Sequence, residues 1–394
     1  MLPTNRMQFA GGMDTETDPT NIPADRARDI TNVDVAANGI GYVREGFTPT
    51  GLLPGARCLQ GFDTFALCAQ GDGLYRVDYP LATTLIATGL NPNNPVAYTR
   101  HAGAVWFTDG DMLGRVAADG GSAVRVGLST PASPNIRTAG IGGLTPGRYG
   151  LALSFVSATE ESGISAITFT DTTAGVELLH IPPAPAGCDV RVYMTQPDGD
   201  RLYHALDIPA GLVPPILIST QAEGKVATNQ YLTQTPGGRL LAGYNGRMYV
   251  ARGNVLYFSE PLHYGLTALQ HGFVLYESEI TLLQAVESGL YVGTREHLHY
   301  LAGDGPNAAR TKMAAPAPVP WSGLAVPAGM LEKDFAQRGG LYAAWLAHDG
   351  YYLGTPDGSV IPLQSDRVGG LAGDATASVL APVRGINRVI TTVE

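Results

Sequence analysis

Arg247–Ser259 reads RMYVARGNVLYFS and Leu290–Leu301 reads LYVGTREHLHYL. Each is an apolar run, a short polar break and a second apolar run, the pattern of two antiparallel strands joined by a turn. Three further stretches repeat it: Leu67–Tyr79 (LCAQGDGLYRVDY), Val105–Val116 (VWFTDGDMLGRV) and Leu341–Leu353 (LYAAWLAHDGYYL). The dipeptides Asp72-Gly73, Asp109-Gly110 and Asp349-Gly350 carry the chemistry of type I′ hairpin turns. Tyr75 to Trp106, Tyr249 to Tyr291 and Tyr291 to Tyr342 give steps of 31, 42 and 51 residues. Irregular steps of roughly 30–50 residues suit four-stranded propeller blades with loops of unequal length. The WD dipeptide of regular propellers is missing. The expectation is an all-β chain, an irregular β-propeller.

Composition agrees. The 394 residues include 50 Gly and 28 Pro, with 44% hydrophobic and only 15% charged residues, which favours many short strands and tight turns over disorder. Helix is confined to two short candidates, one started by Pro23 ahead of ADRARDI and one over Met330–Arg338, stopped by Gly339-Gly340.

The repeat breaks between Thr130 and about Gln230, where a small β-sandwich is expected. Tyr149, Leu151, Leu153 and Phe155 alternate along one strand; Val190, Val192 and Met194 alternate along another. Glu160–Gly163 reads as a polar turn and Pro197-Asp198-Gly199 as a second. The expected organisation is an N-terminal arm over 1–30, a first propeller part over 31–130, the insert over 131–230 and a second propeller part over 231–394.

Chemistry-bearing patterns are sparse. His297 and His299 stand two apart on a strand-like segment and face one side, half of a metal site at most. Asp14, Glu16 and Asp18 imitate the start of a calcium loop, but Pro19 stands where that loop needs Gly. No phosphate-cradling Gly-Lys-Ser/Thr loop and no G-x-S-x-G elbow occurs. Tyr75, Trp106, Phe107, Tyr249, Tyr257, Phe258, Tyr291, Tyr300, Trp345, Tyr351 and Tyr352 fall on the hairpins, where blade packing explains them. The expectation is no catalytic residue, no metal ligand and no cofactor, hence no enzyme. Cys58, Cys68 and Cys188 cannot all pair and read as reduced thiols. The formal net charge of −10 denies the chain a broad nucleic-acid-gripping surface. Neither a signal peptide nor a membrane span is read from the sequence, which implies folding in a cytoplasm.

Two resemblances add to this reading. Leu144–Tyr149 (L-x-P-G-x-Y), the SATEESG turn and VRVYMTQPDGD make the insert resemble a fibronectin type III-like module, which carries no catalytic implication. The opening, FAGGMDTETDPTNIPADRARDITNVDVAANGIGYVREGF over Phe9–Phe47, resembles the N-terminus of tail nozzle and tail-tube-type virion proteins of short-tailed bacteriophages. Its skeleton is Gly11-Gly12, Ile22-Pro23, Asn32-Val33-Asp34, Gly39 and Arg44-Glu45-Gly46-Phe47. Gly237–Gly265 and Ile280–Gly303 are similar to blades of the same group. The resemblance implies a sixfold ring of propeller subunits below an adaptor ring, with tail fibres or spikes as further partners. It implies assembly in the host cytoplasm and passage of phage DNA without sequence-specific binding. An acidic lumen suits passage, since carboxylates repel phosphates. The rival readings are a host-receptor or carbohydrate-binding propeller, a propeller glycoside hydrolase and a cellular adhesin.

Overall fold

The computed structural model describes residues 11–30, 33–35, 40–43, 51–331, 338–363, 368–374, 376–383 and 386–393. Five four-stranded antiparallel sheets follow one another, each a simple meander from an inner to an outer strand. The first blade starts at the strand Arg57–Gly61 and ends at Ala82–Ala87; the second runs from Ala97–His101 to Ala123–Val126. The third runs from Leu240–Tyr244 to Phe273–Leu275, the fourth from Ile280–Val286 to Ala309–Lys312, and the fifth from Leu324–Pro327 to Val360–Pro362.

What makes these sheets a propeller is the direction of their side chains. Successive residues of a strand point to opposite faces, so a blade between two others needs apolar residues on both faces. The second strand of the fourth blade, Gly289–Thr294, is buried throughout. Its Leu290 and Val292 pack with Tyr249, Leu256 and Phe258 of the third blade. Tyr291 points the other way and packs with Trp345 and Tyr352 of the fifth. Phe65 and Leu67 join Val105 and Phe107 between the first and second blades. Trp106 and Leu113 join Leu241 and Met248 between the second and third. The chain is an all-β, irregular β-propeller.

A hairpin of Thr376–Val383 and Ile386–Val393 occupies the place after the fifth blade, with Leu380 and Val389 against Val326 and Tyr342. It meets a hairpin from the other end of the chain, Val33–Val35 with Gly41–Val43. Arg388 donates to the Val35 carbonyl and lies 3.4 Å from Asp34.

The propeller is interrupted between the second and third blades by a seven-stranded β-sandwich. One sheet has Gly175–His180 between Asn135–Ala139 and Ile216–Ile218; the other has the order Thr168–Thr172, Gly147–Val156, Asp189–Thr195, Leu202–Ile208. Tyr149, Leu151, Leu153 and Phe155 fill its core with Val190, Val192 and Met194, the two alternating sets of the sequence. The Tyr149 hydroxyl donates to the Thr145 carbonyl across the corner before its strand.

Two expectations need correction, and a third lies mostly outside the described residues. Pro23 starts no helix: Arg26–Ala27 is a short strand parallel to Gly12–Met13, fixed because the Arg26 guanidinium reaches Asp14 at 2.8 Å. The helix over Met330–Arg338 falls mostly on 332–337, outside the described residues, and Ala328–Met330 before it is a 3-10 turn. The Asp-Gly pairs are out of register with their turns. Gln70 pairs with Gly73 and Ala347 with Gly350, so the loops are Gly71-Asp72 and His348-Asp349. Thr108 pairs with Leu113 around a four-residue loop. Among the described residues, the two-residue loops with positive φ at both positions are Ala102-Gly103 and Asn245-Gly246, each joining an inner strand to its neighbour. Phe9–Ala10, Asn32, Gly39 and Arg44–Phe47 of the opening pattern lie outside the described residues. No helix among the described residues is long and apolar enough to cross a membrane.

Trp345 is fully buried between the fourth and fifth blades, and its indole N–H has no partner. Trp345→Ala is expected to lower the unfolding free energy by about 3–5 kcal/mol, and Trp345→Phe by clearly less because it deletes an unsatisfied donor. Urea denaturation of the two variants beside the parent measures both; equal losses would contradict the interblade role.

Candidate functional site

The sandwich is docked on the propeller through the SATEESG turn. Glu160 Oε2 accepts the Gly127 amide at 2.9 Å, and Gln234 donates to the Gly127 carbonyl at 2.9 Å. Gly163 lies so close to the strand Leu232–Gln234 that a Cβ there would sit 1.9 Å from the Leu232 carbonyl oxygen. Glu161 fixes the returning linker: its carboxylate accepts from Ser154, Arg191, Tyr193 and Asn229 at 2.7–3.0 Å. Burial pushes the Tyr193 hydroxyl above its ordinary range, and its bond to Glu161 adds to the shift.

Between the two bodies lies a cleft of about 1110 Å³. Its propeller wall is Trp106, Arg115 and Val124 of the second blade with Leu262, His263 and Tyr264 of the third; Tyr231 stands at its rim and Glu160 on the sandwich side. The Arg115 guanidinium lies 5.9 Å from the centre of the Trp106 ring, and Trp106 meets Tyr264 edge-on at 4.7 Å. Tyr264 in turn meets His101 at 5.5 Å. His101 belongs to a second, smaller cavity of about 370 Å³ at the ends of the inner strands, with Tyr244, Asn245 and Glu287. Burial lowers the His101 pKa and so favours the neutral ring.

Of the residues singled out from sequence, Trp106 and Cys188 line the cleft; the others are distributed elsewhere. The His297 and His299 rings do adjoin, 6.2 Å apart and edge-on, but each has its own partner. His299 Nε2 lies 2.7 Å from Glu277 and His297 Nε2 lies 2.9 Å from the Lys312 ammonium. Among the described residues no group of three or more His, Cys, Asp or Glu is placed to hold a metal ion. Asp14 is used structurally: it accepts the Thr17 amide and hydroxyl and pairs with Arg26, and the Thr17 amide first and Arg26 second hold its carboxyl down at about 2. Asp18 accepts from Thr20, and the three cysteines are free, Cys68 and Cys188 in the core and Cys58 half-buried. Among the aromatics, Trp106, Phe107, Tyr249, Phe258, Tyr291, Tyr300, Trp345 and Tyr352 are buried. Arg115, Tyr231 and His263 were not singled out, because the cleft joins segments more than a hundred residues apart and only Tyr231, an aromatic at the end of the insert, stands out locally.

No family model and no curated protein matches the chain. Among solved structures it is similar to a streptogramin B lyase, with 11% identity, a TM-score of 0.31 and coverage of 89% of this chain and 97% of the other. It is also similar to the N-terminal domain of Nup159, with 8% identity, a TM-score of 0.31 and coverage of 89% and 77%. The WD40 domain of Neurospora crassa Pan2 gives 10% identity, a TM-score of 0.30 and coverage of 76% and 74%.

Two outcomes follow from this geometry. Gly163→Ala is expected to cost about 1–3 kcal/mol, since the obstacle is backbone, and to speed proteolysis of the linker at 227–232, read by timed digestion. Burial raises the Glu277 carboxyl, but bonds from His299, its own amide and Thr294 outweigh this and hold it at about 2. A carboxyl depressed in the folded state adds stability above its unfolded pKa, and loses it as pH falls through the folded value. Stability therefore drops between pH 4.5 and 2, by about 1–2 kcal/mol after solvent screening, and Glu277→Gln flattens that drop in acid-denaturation curves.

Proposed function

We propose that this chain is a structural virion protein, a subunit of the distal tail nozzle of a short-tailed phage that retains packaged DNA and gives it a channel during ejection. The observation that carries the reading is the coincidence of pattern and fold in the third and fourth blades. Gly237–Gly265 and Ile280–Gly303, the stretches similar to nozzle blades, fold as successive blades that share one core. The chemistry of such a part is that of a wall: it must hold shape and let a polyanion pass. A net charge of −10 supports this, because carboxylates facing a lumen repel phosphates and keep DNA from adhering.

The partners follow from the role. Six copies form a ring against an adaptor ring, DNA passes without sequence-specific contact, and no enzymatic step is required. The insert, with its resemblance to a fibronectin type III-like module, serves as the outward face for tail fibres or spikes. Its docking through Glu160, Glu161 and Gly163 holds that face at a fixed angle to the propeller.

Quantitative peptide mass spectrometry on gradient-purified virions tests the assignment. The expected result is about one copy per two portal subunits, given the twelvefold portal that the resemblance implies. A markedly different ratio, or absence from virions, would discard the nozzle role.

A further inference from the structure

We propose that the cleft between the sandwich and the second and third blades binds a short acidic oligosaccharide. The first observation is how its charges are spent. Three glutamates line it, and each is engaged within the protein. Glu160 is taken by the Gly127 amide and Glu161 by four donors. Glu260 lies 4.0 Å from the buried guanidinium of Arg247. Arg115 and Arg125 also line the cleft and are exposed, and neither has a carboxylate partner among the described residues. A chain of net charge −10 thus presents unpaired cations at this cleft. Arg115 is held over the Trp106 ring, so its guanidinium is oriented before any ligand arrives, and a guanidinium fork fits a carboxylate.

The second observation is apolar surface held out at the same place. Tyr231 is 61% exposed with φ of 64°, and Leu262 is 73% exposed with φ of 61°. A non-glycine residue in the left-handed region costs about 1–3 kcal/mol and persists where its surroundings impose it, often at ligand clamps. A flat tyrosine face suits the apolar face of a sugar ring, while His263, His271 and Gln270 offer donors and acceptors for hydroxyls. A cavity of about 1110 Å³ admits several rings. Single-stranded nucleic acid is the weaker fit: it prefers a long basic groove with several stacking faces, and here two arginines sit in an acidic protein.

This inference does not rest on the virion role and is read on the isolated chain. The full chain is titrated calorimetrically at low salt with a hyaluronan hexasaccharide, a polygalacturonate hexamer, maltohexaose and the oligonucleotide dT6. The expected result is saturable binding of at least one uronic-acid hexamer, at least tenfold tighter than maltohexaose or dT6. That affinity falls at least tenfold in Arg115→Ala and in Tyr231→Ala. Both side chains are exposed, and Arg115→Gln, which keeps the stem over Trp106, repeats the readout should the truncation disturb the wall. Failure of both acidic hexamers to saturate overturns the proposal, as does unchanged affinity in the arginine and tyrosine variants. Equal binding of maltohexaose removes the acidic specificity and overturns it too, and tighter binding of dT6 reassigns the cleft to nucleic acid.

Discussion

Everything in this molecule depends on strands that must be apolar on both faces. A face-to-face stack of sheets has no solvent side for its middle strands, so Leu290, Tyr291 and Val292 are all buried although they point in opposite directions. Each of the second, third and fourth blades supplies half of two cores, and the first blade supplies half of one. The arrangement makes the blades mutually dependent: removing bulk at one interface loosens the two sheets that share it. It also explains the low share of charged residues, since surface is confined to loops, outer strands and the two ends of the stack.

The same constraint decides how much could be read from the sequence. Hairpins were legible because an apolar run, a break and another apolar run have few other meanings. The phase of the repeat was less so. Tyr249, Tyr291 and Tyr342 do occupy equivalent second strands, but Tyr75 belongs to the third strand of its blade, so the step from Tyr75 to Trp106 compares unlike positions. The turn chemistry misled by one residue, because a glycine after aspartate serves equally well as a turn residue or as the first residue of a strand. Asn245-Gly246 has the composition of a type I′ turn but was not singled out, and Ala102-Gly103 carries no such signal, since alanine enters the left-handed region only where tertiary packing imposes it. The sandwich strands were plain from alternation alone. The candidate site was not, because the freedom of Arg115 depends on which glutamates are already occupied, and those partners are chosen by the fold.

The sandwich and propeller are joined by polar contacts where the propeller itself is joined by apolar ones. Glu161 gathers four donors and Glu160 one amide, while Gly127, Gly163 and Gly265 let backbones approach where a side chain would collide. A joint of this kind is specific in angle and modest in area. It leaves an open cleft beside it, because the surfaces touch through one turn and not across a face. The cleft is therefore a consequence of how the insert is attached, and its charge is a consequence of which acids the attachment uses.

The meeting of Arg388 with Asp34 and Val35 has a consequence for the order of events in the living cell. The hairpin at one end of the chain has its partner some 350 residues away, near the other end. A ribosome releases the early hairpin long before the late one exists, and domains otherwise form as they emerge. The first blades can assemble on the way out, but the early hairpin gains this contact only once the late hairpin has emerged. The interval between the two hairpins is set by elongation, and slowing the codons that separate them would lengthen it without changing a single residue.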